Sequence, residues 1–359
     1  MTIVCWFDAL TPKQAKIAAI LYIELRKYSI ELFITTREYP YIKDVLNFYK
    51  VPYVVVGYYG ETRRDKLEAY AKRILELLKV LPEFALAIGF PSPEMHRIAF
   101  GLGKPIITLT DTPQAYHVSK MTLPLSTVVI VPEVFPDDVL KSYIPEKELH
   151  KVVKFRGLFE LMWISRILHK VSEGKSILKS LGLEDKEFVI VRPEESKAAY
   201  YVFGEKLDIL KKLIEHILEE KYRVLILPRY SHQREYLCKV FREHIERADI
   251  LIPQEMNIDL SLLYPYAKLV ITGGLTMATE AALMGVPAIT YFPEELGICT
   301  YLRKHGFPIE HVANPADLLP KARHMLREEG LSIEEVASKI KVFEDPVNVI
   351  VSKLLQLVQ

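Results

Sequence analysis

The chain has 359 residues, 50% hydrophobic and 26% charged, with a formal net charge of +1. That balance suits a soluble globular protein and speaks against a nucleic-acid groove or a strongly acidic partner. The length points to two domains, since single hydrophobic cores stop growing near about 250–300 residues, and no run reaches the roughly 20 apolar residues that span a bilayer.

Cys5, Cys238 and Cys299 stand isolated and lack metal-ligand spacing. They predict a reducing, cytoplasmic setting with no disulfide framework and no metal site. The N-terminus runs straight into Ile3-Val4-Cys5-Trp6-Phe7 without a basic leader, so no signal peptide is expected. Glycine is scarce at 15 while Lys and Glu are plentiful, which leans towards a thermophilic source.

In chain order, short apolar runs alternate with amphipathic stretches. Strands are predicted at residues 3–7, 31–35, 53–56, 85–88, 106–109 and 128–131, with helical patterns such as 13–28 and 64–80 between them. Alternation of this kind predicts parallel strands joined by right-handed crossovers. Residues 150–180 hold one strand candidate, 152–155, followed by basic, amphipathic sequence read as a solvated linking helix. Its Phe155, Phe159, Trp163 and Ile167 would also suit a membrane surface, the weaker reading because no charge excess accompanies them. Strands then recur at 188–191, 223–227, 250–252, 269–271 and 288–291, and 348–358 is a last helical pattern. The expected architecture is α/β: two facing, doubly wound parallel-sheet domains, 1–165 and 166–345, with a cleft between them and a terminal helix, 346–359, packing back on the first.

Ligands of open parallel sheets sit outside the carboxyl ends of the strands. In the second half the most informative stretch is 268–291, where an apolar strand meets Gly273-Gly274 and a helix opens near Thr276. Glycines allow close approach, and a fresh helix N-terminus presents unpaired amides, so a diphosphate is the natural guest. Glu280, one turn in, is placed to accept from ribose hydroxyls. Arg192 and Arg229 follow strands and can bring guanidiniums to the same edge. The plainer alternatives are an ordinary crossover turn and surface arginines paired with Glu194 and Glu235. In the first half Asp8, Glu94 and Asp111 each follow a strand and are candidates for acid–base work. Each could instead cap a helix, less so Asp8, because Thr11-Pro12 already starts the next one.

These residues carry a resemblance. Asp8 with Thr11-Pro12, Gly89 to Glu94 followed by Ala99-Phe-Gly-Leu-Gly103, Asp111 with Thr122-Leu-Pro124, Val191-Arg-Pro193, Leu227-Pro-Arg229 and Thr276-Met277 through Glu280-Ala-Ala282 are similar to the prokaryotic family called domain of unknown function 354. That family resembles the GT-B nucleotide-sugar glycosyltransferases and the UDP-N-acetylglucosamine 2-epimerases. The resemblance covers nearly the whole chain. It implies a GT-B fold, UDP-type binding in the second domain and an acceptor site in the first. Where the family pattern carries histidines, this chain has Gln14, Gln114 and Ala199, and Val191 precedes Arg192 where the epimerases have a histidine. Glutamine hydrogen-bonds but takes no proton near neutral pH, so Gln14 and Gln114 are read as substrate-binding. His117 lies near a strand end, while His216, His244 and His324 fall on helix faces and read as surface residues.

The leading expectation is a metal-independent glycosyltransferase without a cofactor, using a nucleotide-sugar donor and an unspecified acceptor. Arg192, Arg229 and the Gly273–Thr276 amides would hold the diphosphate, Glu280 the ribose, and Asp8 or Asp111 would be the base. The alternatives are a UDP-sugar 2-epimerase-like enzyme and a non-catalytic nucleotide-sugar-binding protein.

Overall fold

The computed structural model describes residues 2–194, 207–254, 259–294 and 297–358. The chain divides into two compact units, residues 1–162 with 343–359, and residues 163–342. Each is a parallel sheet with helices in the crossovers.

The first unit contains β1 (Ile3–Ala9), β2 (Ile30–Thr36), β3 (Val54–Val55), β4 (Leu86–Gly89), β5 (Ile106–Leu109), β6 (Val128–Pro132) and β7 (Val152–Phe155). They form a seven-stranded sheet in the order β3-β2-β1-β4-β5-β6-β7, every pairing parallel. Strands covered by helices on both faces read as unbroken apolar runs rather than alternating ones, and β4 and β5 are buried at every position. Consecutive strands run outward from β1 on one side, and β4 then returns to its other side, so the topological switch point lies between β1 and β4.

The second unit repeats this plan with β8 (Phe188–Arg192), β9 (Arg223–Ile226), β10 (Ile250–Leu251), β11 (Leu269–Thr272), β12 (Ala288–Thr290) and β13 (Ile309–His311). The order is β10-β9-β8-β11-β12-β13, and the switch point falls between β8 and β11. Its core gathers Val189, Val191, Ile214, Ile217, Ile226 and Ile271, all fully buried.

Two sequence expectations need correction. Residues 152–155 are not an isolated strand in a linker but the edge strand of the first sheet, paired with β6. Of the residues that follow, 165–180 are helical and largely exposed, but those before them are not solvated: Phe155, Phe159 and Trp163 are at most 1% exposed. Side chains so buried are not available to a lipid surface. β13 was not expected: it is three residues long and carries Glu310 and His311, too short and too polar to show a period. The terminal helix Pro346–Val358 groups with the first unit. Its entry is fixed by Glu344, whose amide donates to the Arg156 carbonyl at 2.7 Å while its carboxylate accepts from the Arg156 amide at 2.6 Å. No helix among the described residues is long and apolar enough to cross a membrane.

Candidate functional site

Both switch points carry clusters of ionisable side chains at the carboxyl ends of their strands. In the first unit, Asp8 lies near the end of β1 and is fully buried. Arg73 donates two nitrogens to its carboxylate, at 2.6 and 2.9 Å, and Thr35 and Ser92 each donate a hydroxyl at 2.7 Å. Burial alone would push this carboxyl upward, but the Arg73 charge and the four hydrogen bonds outweigh it and hold the pKa below its ordinary value. Asp8 therefore does not open onto a cleft as expected: both oxygens are engaged and sealed from water, an arrangement for an ion pair rather than a base. Glu94, in the first turn of helix Pro93–Gly101, approaches the same Arg73 at 3.5 Å. Burial and then the Asp8 charge raise its pKa against the pull of Arg73.

A second cluster lies at the ends of β1, β5 and β7. Lys13, in the first turn of helix Pro12–Leu25, donates to Asp111 and, at 2.5 Å, to Glu160. Burial opposes the ammonium, yet the two carboxyls outweigh it and raise the Lys13 pKa. One cation facing two carboxyls leaves an excess acid. Burial raises the pKa of Glu160, with Lys13 opposing and Asp111 adding to the rise. Asp111 is thus an ion-pair partner and not a cap; helix Tyr116–Thr122 starts after Ala115 without a side-chain cap.

Sequence reading missed Lys13 and Glu160. A lysine in the first turn of a helix sits against the macrodipole and needs a compensating anion, a signal that could have flagged Lys13. Glu160 is hidden because it lies in the turn after β7, a stretch that reads as linker.

The two glutamines differ. Gln14 accepts from the Leu10 amide at 2.7 Å, and its own amide donates to Thr11, so its carbonyl serves the start of the helix. Gln114 has a buried side-chain oxygen with no hydrogen-bond partner among the described residues. Ala199 lies outside those residues. His117 is exposed beside Tyr116. His216 is not a surface residue: it is 5% exposed and accepts from Arg323 Nε at 3.2 Å.

His96, which the sequence did not single out, is fully buried between the Ser92 carbonyl and the Thr108 hydroxyl, each at 2.7 Å. A carbonyl can only accept, so Nδ1 carries the proton. Burial drives the His96 pKa from 6.5 down to about 4. Between those values the unfolded chain binds the extra proton, so stability rises with pH across the window and is lost as pH falls through it. At 1.36 kcal/mol per unit the span from 6.5 to about 4 is worth about 3 kcal/mol. Urea unfolding of wild type and His96→Gln at pH 7 and pH 4.5 checks this: the wild type should lose more stability than the variant, and equal losses would exclude His96 as the source.

In the second unit the ends of four strands are tied together. The Gly273 amide donates to the Arg192 carbonyl at 3.0 Å, Arg229 Nε to the Pro193 carbonyl at 3.1 Å, and Gln233 Nε2 to the Glu194 carbonyl at 3.1 Å. The Tyr291 hydroxyl donates to buried Glu194 at 3.0 Å. A Cβ on Gly273 would lie 2.5 Å from the Glu194 Cα, so this glycine is required by backbone packing. A Cβ on Gly274 would lie 2.7 Å from Arg229 Nη2, so a guanidinium rests directly on that residue.

The expected diphosphate cradle is thereby narrowed. The amides of Gly273 and Gly274 are used, the second by Thr272 Oγ1 at 3.1 Å. Helix Thr276–Leu283 begins without a side-chain cap, leaving its first-turn amides as the donors the turn can offer. Glu280 is 8% exposed and accepts from Trp163 Nε1 and from the Tyr264 hydroxyl, each at 2.9 Å. Burial and then Glu280 raise the Tyr264 pKa well above its ordinary value, with the Arg192 charge opposing.

Residues 4–359 match the family described as "Protein of unknown function (DUF354)". The chain belongs to this family. An uncharacterized protein of Methanocaldococcus jannaschii is 30% identical over 303 residues, covering 83% of this chain and 84% of that protein. Solved structures similar to this DUF354 chain include a putative UDP-N-acetylglucosamine 2-epimerase from Listeria monocytogenes, with a TM-score of 0.71, 16% identity and coverage of 95% of this chain and 90% of that one. The M. jannaschii UDP-GlcNAc 2-epimerase in complex with UDP-GlcNAc and UDP gives 0.69 at 15% identity, covering 95% and 99%. The glycotransferase of kitacinnamycin gives 0.61 at 8% identity, covering 100% of both. At such identities the likeness is one of fold: this DUF354 chain has the GT-B-like α/β fold of UDP-sugar epimerases and glycosyltransferases.

Proposed function

We propose that this chain is a nucleotide-sugar enzyme: its second unit binds the nucleoside diphosphate, and its first supplies the proton-handling groups. Transfer of the sugar to an acceptor is the leading reaction. The observation that carries this reading is the Arg229 guanidinium resting on Gly274 beside the uncapped start of helix Thr276–Leu283. A guanidinium and helix-start amides at a switch point suit the charge of a diphosphate, including the charge that grows as it leaves. Arg192 supplies a second positive charge at the same edge. Glu280 meets the ribose only by sharing oxygens that already serve Trp163 and Tyr264. In the first unit the base is Asp111, held by Lys13, with Gln114 offering its buried oxygen to a substrate hydroxyl.

A 2-epimerase-like reaction is the second reading, and one observation favours it. Glu94 and Glu160 are carboxyls with raised pKa at one sheet edge, suited to taking and returning a proton. Incubation with UDP-N-acetylglucosamine in D2O separates the two reactions: deuterium entering the sugar at the inverted carbon supports epimerisation, whereas UDP released only with an acceptor supports transfer.

Calorimetry with uridine and UDP tests the binding site itself. UDP should bind more tightly than uridine, and Arg229→Ala should weaken UDP by about tenfold or more, the cost of a charge-assisted hydrogen bond, while leaving uridine unchanged. Equal affinity for nucleoside and diphosphate would show that the Gly273-Gly274 turn is structural only.

A further inference from the structure

The helix Arg63–Val80 carries its unexplained chemistry on the outside. Its inner face, Ala69, Arg73 and Leu77, is buried at four-residue spacing, and Arg73 there holds Asp8. On the opposite side Leu67, Ala71, Leu75 and Leu78 fall within an arc of about 80° at 3.6 residues per turn. Leu67 is 67% exposed, Leu75 64% and Leu78 49%. Single exposed leucines are ordinary, but an apolar stripe along a solvent-facing helix needs a reason.

The charges beside the stripe say what covers it. Glu68, Lys72, Glu76 and Lys79 run along one flank. Read from the other end, the same order is Lys, Glu, Lys, Glu. Two copies of this helix laid antiparallel about a twofold axis near residue 73 therefore set Glu68 against Lys79 and Lys72 against Glu76, and all four crossings are attractive. The same register sets Leu67 against Leu78 and Ala71 against Leu75. A parallel pairing would turn this flank towards the opposite one, Lys66, Tyr70 and Ile74, and would lose the four attractive crossings. Arg64 bridges to Glu68 within the helix at 3.1 Å, but both side chains are more than half exposed, and such a pair is weak and exchangeable.

We propose that the outer face of helix Arg63–Val80 is a self-association surface, on which two copies of this chain pair antiparallel through an isologous contact. The 18-residue helix is about 27 Å long. Phe100 and Leu102, at the end of the helix it packs against, are 55% and 53% exposed and add apolar surface. A contact of one helix pair lies at the small end of specific interfaces, so the dimer should form reversibly with concentration.

Sedimentation velocity on the full chain tests this. Wild type should approach twice the 41.4 kDa chain mass as concentration rises into the high micromolar range, and Leu75→Glu should remain a monomer with an unchanged circular dichroism spectrum. Glu76→Lys alone should weaken association by about tenfold, since it sets Lys against Lys twice across the axis. The double swap Lys72→Glu with Glu76→Lys should restore it. A wild type that stays monomeric throughout, a dimer that survives Leu75→Glu, or a double swap no tighter than the single change would each overturn the proposal.

Discussion

Asp8→Asn should lower the free energy of unfolding by about 3–5 kcal/mol, the cost of breaking a buried ion pair from one side. The substitution keeps the shape of the side chain but removes the charge from a site sealed from water. Arg73 is 1% exposed; in the variant it keeps its hydrogen bond from Nε to the Val56 carbonyl at 2.8 Å and Glu94 at 3.5 Å, a longer contact than the two it loses. Arg73→Met should cost a similar amount, because it strands the carboxylate. The double variant Asp8→Leu with Arg73→Met should cost much less than the two singles together, since it strands neither half of the pair. Urea unfolding of the four proteins at pH 7 measures the coupling. Because the folded-state pKa of Asp8 is lowered from 3.8, this contribution is complete above that pH and disappears only as pH falls through the folded value. A cost near zero for Asp8→Asn would show that the pair does not hold β1 against helix Arg63–Val80.

The same residue shows how far the sequence could be read. Its place at the end of an apolar run was legible, because a parallel strand buried on both faces leaves a plain hydrophobic signature and the polar residue after it marks the strand end. Its partner was not. Arg73 lies 65 positions away in a helix with many other charges, and nothing local distinguishes it from Arg63 or Lys72 except its place on the buried face. A carboxylate at a strand end looks the same whether it faces a substrate or an arginine. The second unit was more legible at its turn, because two glycines in succession report a backbone constraint directly. Even there the sequence did not say that Gly273 is a glycine for the Glu194 backbone and Gly274 for the Arg229 guanidinium. Lys13 and Glu160 were missed for a different reason: Lys13 opens a helix that its period shows plainly, Glu160 follows a strand that reads as part of a linker, and their meeting depends on β1, β5 and β7 ending at one edge.

If Asp111 is the base, Asp111→Asn should reduce turnover of a responsive nucleotide sugar by about 10²–10⁴-fold, the usual worth of a positioned general base. The loss should appear in kcat, with the affinity for UDP nearly unchanged, because the diphosphate is assigned to the second unit. Lys13 keeps Glu160 as a partner at 2.5 Å in that variant, so the fold should survive, unlike the case of Asp8. Glu160→Gln should act differently. Burial raises the pKa of this carboxyl, so the wild-type rate should titrate with it as pH rises from the acid side, and the variant should lose that limb while keeping part of its rate. Asp111→Asn turning over within tenfold of wild type would move the base to Glu94, whose pKa is also raised. A wild type that binds UDP yet turns over no nucleotide sugar, with or without acceptors, would instead leave a binding protein on this fold. Gln14 and Gln114 would fit that outcome, because neither can carry a proton near neutral pH.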